Sequence, residues 1–325
     1  MLKRTVLAVL VVVGALVPAA VAQGGLTPIN YLTSFSTFGR DAYVYVAKEL
    51  GYFEEAGLDV TINPGSGTVA VMQLIAAGTA DFGPGDAATA FIAIANEGLE
   101  LKAVAAVQQN TLAAVIALES SGIAAPADLA GRTFADAAGS TNRILLPAYA
   151  AAAGFDDSTI EFVAAAPPDL PRLLASKTVD FIGQFVVGRS LIETAAGEPA
   201  VILPYSDYLP DLYGNLIIAR SEMIAEQPEL VEAFVGALMR GLQYSIDHPE
   251  ETGEILVRSV DGQNAAIAAD EVSIMHDYVM PPAYTGSIGA IDQAKVEAMI
   301  TMLTEAGAIT NPVAAADVFA PGFTD

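Results

Sequence analysis

Tyr43-Val-Tyr-Val-Ala-Lys-Glu-Leu-Gly-Tyr-Phe-Glu-Glu-Ala-Gly-Leu-Asp-Val60 carries two structural periods in succession. Tyr43, Val46, Ala47, Leu50 and Phe53 fall on one face of a helix predicted over 41–56. Gly57 stops that helix, and Leu58-Asp-Val-Thr-Ile62 alternates as a strand. A helix feeding a strand is the repeating unit of an α/β chain, and the pattern spreads outward from here.

Upstream, Ile29–Leu32 reads as a strand. Downstream come a helix over 68–77, a strand over 80–83, a helix over 86–97, and apolar strands Leu101–Val107 and Ala113–Leu118. A second α/β run follows, with strands at Gly131–Ala137, Ile160–Ala165 and Asp180–Gln184 and a helix ending at Gly154. Pro147 is awkward inside that helix, so it is expected to begin later. Beyond Tyr213 the chain reads as mostly helical, with Val231, Phe234, Val235, Leu238 and Leu242 on one face of a long helix between Pro228 and His248. Two α/β runs without a flexible linker predict two lobes around a cleft, and ligands of open α/β sheets sit at the carboxyl ends of the strands. Lobe 1 is drawn as 23–110 plus 214–325 and lobe 2 as 111–213.

Residues 1–22 read as an export signal: Lys3 and Arg4, a 13-residue apolar run from Thr5 to Val17, then Ala20-Val21-Ala22 as cleavage site. A span needs roughly 20 apolar residues, so the run is too short to cross a bilayer. The expected mature protein is periplasmic or secreted, soluble and monomeric. Removing the two signal cations takes the net charge from -24 to -26. That balance excludes nucleic acid held by counterion release. The chain has no cysteine, which rules out disulfides, thiolate metal sites and cysteine nucleophiles. A large core must hold the fold instead, and about 300 residues suffice to bury roughly 75% of the unfolded surface. Neither metal nor cofactor is expected.

The candidate site residues lie in strand-to-helix loops. Thr33-Ser-Phe-Ser-Thr-Phe-Gly-Arg-Asp41 offers Phe35 and Phe38 for stacking and Ser34, Ser36, Arg40 and Asp41 for orientation, with Tyr43 one turn on. Asp41 is equally read as a helix cap. Gly65-Ser66-Gly67-Thr68 opens a helix whose free N–H groups suit an anion or carbonyl, yet it lacks the lysine of a phosphate loop. Asp86 either accepts from a ligand or caps the helix it begins. Gln108 and Asn110, with Gln109 between them, stand where the first lobe hands over to the second, as ligand partners or hinge surface. In the second run Ser140, Thr141, Asn142 and Arg143 open a helix, and Gln184-Phe185 end a strand. Tyr208 and Tyr213, with Tyr205, supply rings with polar tips for a ligand or for packing between lobes. His248 and His276 fall in no cleft loop, so a histidine base is not expected, and the chain reads as a binder rather than an enzyme.

The opening helix, Asn63-Pro-Gly-Ser-Gly-Thr-Val69, Ile75-Ala-Ala-Gly-Thr-Ala-Asp-Phe-Gly83 and Ser121-Gly-Ile-Ala-Ala-Pro-Ala-Asp-Leu-Ala-Gly-Arg132 keep a familiar order. Leu173-Leu-Ala-Ser-Lys-Thr-Val-Asp180, Ile218-Ala-Arg-Ser-Glu-Met-Ile224 and Gln227-Pro-Glu-Leu-Val-Glu-Ala-Phe234 continue it. In that order they resemble ABC-transporter solute-binding proteins of the sulfonate, nitrate and thiamine-precursor group. The resemblance implies a two-lobed venus-flytrap of type II, each lobe a mostly parallel sheet covered by helices. It also implies an inner-membrane ABC permease as partner, and Gly139-Ser-Thr-Asn-Arg143 as the main ligand loop. Thiamine-precursor binders usually carry Asn-His where this chain has Gly39-Arg40, and the Phe-Gly-Arg-Asp version is more similar to the riboflavin-binding branch. The expected ligand is thus an aromatic heterocycle, riboflavin-like first and a thiamine pyrimidine second. Arg40, Arg143 and Arg189 keep sulfonate, taurine or nitrate open. The same fold hosts a pyrimidine synthase with a cysteine-rich motif that is missing here.

Overall fold

The computed structural model describes residues 25–324, so the export signal read at 1–22 lies outside the described residues. Six strands are made before the chain first changes sheet: β1 (Thr27–Leu32), β2 (Phe35–Ser36), β3 (Leu58–Asn63), β4 (Gly65–Ser66), β5 (Gly83–Asp86) and β6 (Leu101–Ala106). Five follow in the second sheet: β7 (Ala113–Leu118), β8 (Thr133–Asp136), β9 (Glu161–Ala164), β10 (Phe181–Phe185) and β11 (Ala200–Pro204). The chain then returns as β12 (Asn215–Arg220).

The first lobe's sheet joins β3 to β1 in parallel, β1 to β5 through the parallel bridge Tyr31–Phe82, and β5 to β12 to β6. The second lobe's sheet runs β11-β7-β10-β8-β9. In each lobe four strands point one way and a single strand opposes them, β12 in the first and β7 in the second. Those two are the strands by which the chain enters a lobe from its neighbour. They start at the edge where the parallel strands end, so both crossings and all the carboxyl ends face the same cleft.

Helices cover both sheets. The apolar faces predicted around Tyr43 and Phe234 are buried: Tyr43, Val46, Ala47 and Phe53, and Val231, Phe234, Val235, Leu238 and Leu242 of the helix Pro228–Asp247. Four expectations need correction. The opening helix is two, Ala42–Glu49 and Tyr52–Glu55, because Gly51 turns to φ +77°, a region closed to most side chains. The strand expected at 80–83 lies at Gly83–Asp86, where turn-like glycines let the sheet approach the helix Thr68–Ala76: a methyl group on Gly83 would sit 2.7 Å from Val71. The helix Thr141–Ala153 runs straight through Pro147, its start held by Ser140 Oγ accepting from Arg143 N at 3.1 Å. The missing N–H forfeits one intrahelical bond without displacing the start. The sequence reading also passed over β11 and β12, the latter an apolar run hidden in a stretch read as helical.

Among the described residues no helix is long and apolar enough to cross a membrane, and no group of three or more acidic or histidine side chains is placed to hold a metal.

Candidate functional site

Where β1 ends, the loop 33–41 folds around its own acid. Asp41 accepts from Ser34 N at 3.1 Å, Ser34 Oγ at 2.7 Å and Phe38 N at 3.4 Å, and its other neighbour is Arg40 Nε at 3.7 Å. Asp41 therefore closes the loop on itself and makes no side-chain cap to the helix that follows. Ser34 is spent on the same bond. Burial raises the Asp41 carboxyl above its ordinary range, against the pull of Arg40 and Ser34. Gly39 is needed for a close approach: a Cβ there would lie 2.6 Å from the Ala268 carbonyl oxygen of the helix Ala265–Val279. That approach puts Glu271 Oε2 3.3 Å from Arg40 N. Burial pushes Glu271 up to about 7, opposed by Arg40.

The Arg40 guanidinium carbon lies over the Phe38 ring at 4.9 Å and over the Phe185 ring at 5.1 Å. Phe38 belongs to the first lobe and Phe185 ends β10 of the second, so one planar cation touches aromatic rings from both sides of the cleft. Such contacts are worth about 0.5–2 kcal/mol each. Nearby, Ser190 Oγ donates to Asp270 Oδ2, a second bond between the lobes.

The other half of the cleft joins two helix starts. Asp86 ends β5 and caps the helix Ala87–Glu97, accepting from Thr89 N at 3.1 Å. The Thr89 and Thr141 hydroxyls meet at 2.9 Å across the cleft. On the facing lobe Asp136 ends β8 and accepts from Ala137 N at 2.7 Å and from Ser140 Oγ. Burial pushes both Asp86 and Asp136 up to about 6, against these hydrogen bonds. Asn142 is buried, its carbonyl accepts from Tyr205 Oη at 2.9 Å, and its side-chain Oδ1 has no partner. The Arg143 guanidinium lies over the Phe162 ring at 4.8 Å.

Thus the structure gathers Phe38, Arg40, Asp86, Thr141, Asn142 and Phe185 at the lobe interface. Other predicted residues have different work. Tyr43 is in the core, its hydroxyl paired with that of Tyr31 at 2.9 Å. Ser66 pairs with Phe35 in the β2–β4 ribbon, and Thr68 Oγ1 accepts from Asp86 N at 3.0 Å. Gln184 folds back to accept from Phe185 N at 2.8 Å. Gln108 accepts from Asn215 N at 2.7 Å, and Asn110 accepts from Lys295 Nζ at 3.2 Å. The Tyr213 hydroxyl accepts from Asp292 N at 2.8 Å while Lys295 sits 4.6 Å from its ring. These last three wire the crossings together. Tyr208 is exposed and packs edge-on against Tyr149 at 5.6 Å, while its neighbour Tyr205 stacks on Tyr149 at 4.3 Å. Asp136, Glu271 and Thr89 went unnoticed in the sequence. Asp136 had a signal, since like Asp86 it is an acid closing a strand just before a helix-opening loop.

Residues 41–252 match the family described as NMT1/THI5 like, and the chain belongs to that family. It is 24% identical over 282 residues to the formylaminopyrimidine-binding protein of Halalkalibacterium halodurans, covering 85% of this chain and 84% of that one. It is also 24% identical over 235 residues to the 4-amino-5-hydroxymethyl-2-methylpyrimidine phosphate synthase of Legionella pneumophila, covering 71% and 73%. The periplasmic aliphatic sulphonate binding protein SsuA of Escherichia coli superposes with a TM-score of 0.73 at 16% identity, covering 92% of this chain and 93% of that one. The shared architecture is the two-lobed binding-protein fold.

Proposed function

We propose that the chain is the extracytoplasmic solute-binding component of an ABC importer, and that its lobes close over a small planar nitrogen heterocycle. The observation that supports this reading is the Arg40 guanidinium lying 4.9 Å from the Phe38 ring centre and 5.1 Å from that of Phe185, rings contributed by opposite lobes. The hinge of this reading is the pair of crossings at 107–112 and 205–214. The ligand is bound without turnover, and the permease receives it when the lobes reopen. A one-ring pyrimidine comes ahead of the tricyclic flavin, supported by the printed name of the Halalkalibacterium relative. A tetrahedral sulfonate is disfavoured because Asp41, Asp86, Asp136 and Glu271 are all buried around the lobe interface.

A thermal-shift panel tests this with an aminopyrimidine, riboflavin and methanesulfonate as probes. At a hundred times its dissociation constant a ligand adds about 2.7 kcal/mol of stability, enough to raise Tm by several degrees. The aminopyrimidine is expected to give that rise. Stabilisation by methanesulfonate alone would overturn the heterocycle reading. A rise with riboflavin, with flavin absorbance carried through a desalting column, would replace the single ring by the flavin.

A further inference from the structure

The helix Gln293–Glu305 opens against both crossings at once. Asp292 caps it, accepting from Lys295 N at 2.8 Å, and that cap fixes where the Lys295 side chain departs. The backbone N–H of Asp292 donates to Tyr213 Oη at 2.8 Å, on the second crossing. Lys295 Nζ lies 4.6 Å from the centre of the Tyr213 ring. The same ammonium donates to Gln109 O and, at 3.2 Å, to Asn110 Oδ1, both on the first crossing. A second element grips that crossing. The Tyr278 carbonyl, left open at the end of the helix Ala265–Val279, accepts from Gln109 N at 2.7 Å and from Asn110 N at 3.2 Å. Gln109 Nε2 donates to Ala290 O at 2.9 Å.

These bonds divide the crossings between the lobes. Residues 108–110 and 213–215 are also tied to each other, Asn215 N donating to Gln108 Oε1 at 2.7 Å and Gly214 N to Gln108 O at 3.2 Å, so they go with the first lobe. Gly214 permits that closeness, since a Cβ there would sit 2.7 Å from Gln108 Oε1. Leu112 is already in the second lobe, its carbonyl accepting from Val186 N at 2.9 Å. Tyr205 is held there too, its hydroxyl donating to Asn142 O at 2.9 Å, and Leu209 N bonds to Tyr205 O at 2.8 Å. What remains between the two sets is Thr111 in one crossing and the stretch 210–212 in the other. Thr111 N donates to Leu212 O at 2.8 Å, and both residues are buried.

We propose that Lys295 is the pin of this hinge, a positioning residue that clamps 108–110 and 213–215 to the first lobe, so that the lobes turn about the Thr111–Leu212 pair. A hinge needs only a few residues to absorb the change in φ and ψ, and each residue clamped removes one path along which the lobes can splay. Lysine suits the post: its ammonium carries three donors, enough for two acceptors on one crossing, and a cation is attracted to the ring on the other. The pin rests on the reading of the crossings as a hinge, and it governs how the lobes move, not which guest they take.

The test measures the separation between spin labels on Leu74→Cys and Leu191→Cys, exposed positions on opposite lobes, in the full chain without ligand. Lys295→Met keeps the stem and removes the donors. The population at separations beyond the longest seen in the labelled parent is expected to rise roughly 10-fold, the scale of losing hydrogen bonds made by a charged group. Lys295→Arg keeps a cation with donors and is expected to return the distribution to that of the parent. Tyr213→Phe frees the Asp292 N–H but keeps the ring beside the ammonium, and is expected to give a smaller extension. Thermal unfolding serves as the folding control, and Tyr213→Phe decides the matter if Lys295→Met does not fold. A folded Lys295→Met variant whose distribution coincides with the parent's overturns the pin and leaves the hinge standing. So does an arginine variant as extended as the methionine one. A single fixed separation in the parent and in every variant overturns the hinge together with the pin.

Discussion

Phe234→Ala is expected to lower unfolding stability by about 3–5 kcal/mol, the range for removing a fully buried aromatic ring. Phe234 is fully buried in the helix Pro228–Asp247. Its ring stacks on Phe82 at 4.0 Å and on Phe53 at 5.4 Å, and it meets Tyr31 tilted at 5.9 Å. Those three partners come from the segment leading into β5, from the helix Tyr52–Glu55 and from β1, so one side chain ties together the first lobe's sheet and two of its helices. Urea unfolding followed by circular dichroism measures the loss. A cost below about 1 kcal/mol would mean that the first lobe is not organised around this ring.

Acid is expected to stabilise the empty protein between pH 7.5 and 5. Glu271 is pushed up to about 7, and Asp86 and Asp136 to about 6, each chiefly by burial. In that window the folded chain holds protons that the unfolded chain has released, so folding takes up protons and falling pH favours the folded state. The contribution is complete below the ordinary carboxylate range near 4 and is lost as pH rises through 6 and then 7. One pKa unit corresponds to about 1.4 kcal/mol, so Tm is expected to rise by on the order of 5–10 °C on acidification. The net charge of -24 acts in the same direction, because protonation relieves self-repulsion. Glu271 is faced by Arg40 and Asp41. Glu271→Gln keeps an acceptor for the Arg40 amide without the buried charge, so it is expected to raise Tm at pH 7.5 and to flatten the acid gain. A Tm that falls steadily from pH 7.5 to 5 would contradict the burial of these groups.

Much of the architecture was legible because burial leaves periodic marks. The helix faces at Tyr43 and Phe234 and the strand Ala113–Leu118 were visible as spacing alone. What was hidden depended on contacts distant in sequence. Gly83–Asp86 looks like a turn until the helix that crosses it is known. The site divides along the same line. Arg40 and Asp86 could be picked out as polar residues in strand-end loops, and the structure puts both at the lobe interface. Gln108, Asn110 and Tyr213 have the same chemistry and the same kind of position, yet their partners Asn215, Lys295 and Asp292 lie about a hundred or more residues away in sequence or in the C-terminal return. Residue type cannot separate a hinge bond from a ligand bond when the partner is remote. Glu271 illustrates the converse, since nothing in its helix distinguishes it from solvent-facing acids until Gly39 admits that helix to the loop.

The central claim is that two lobes shut on a small guest, and the distance between the lobes tests it most directly. The chain has no cysteine, so Leu74→Cys and Leu191→Cys, both at exposed positions on opposite lobes, provide one clean pair for spin or fluorescent labels. With an aminopyrimidine at saturation the distribution is expected to collapse to a single shorter distance, and to broaden towards longer ones when the ligand is removed. A distribution unchanged by a ligand that demonstrably binds would contradict closure as the means of capture.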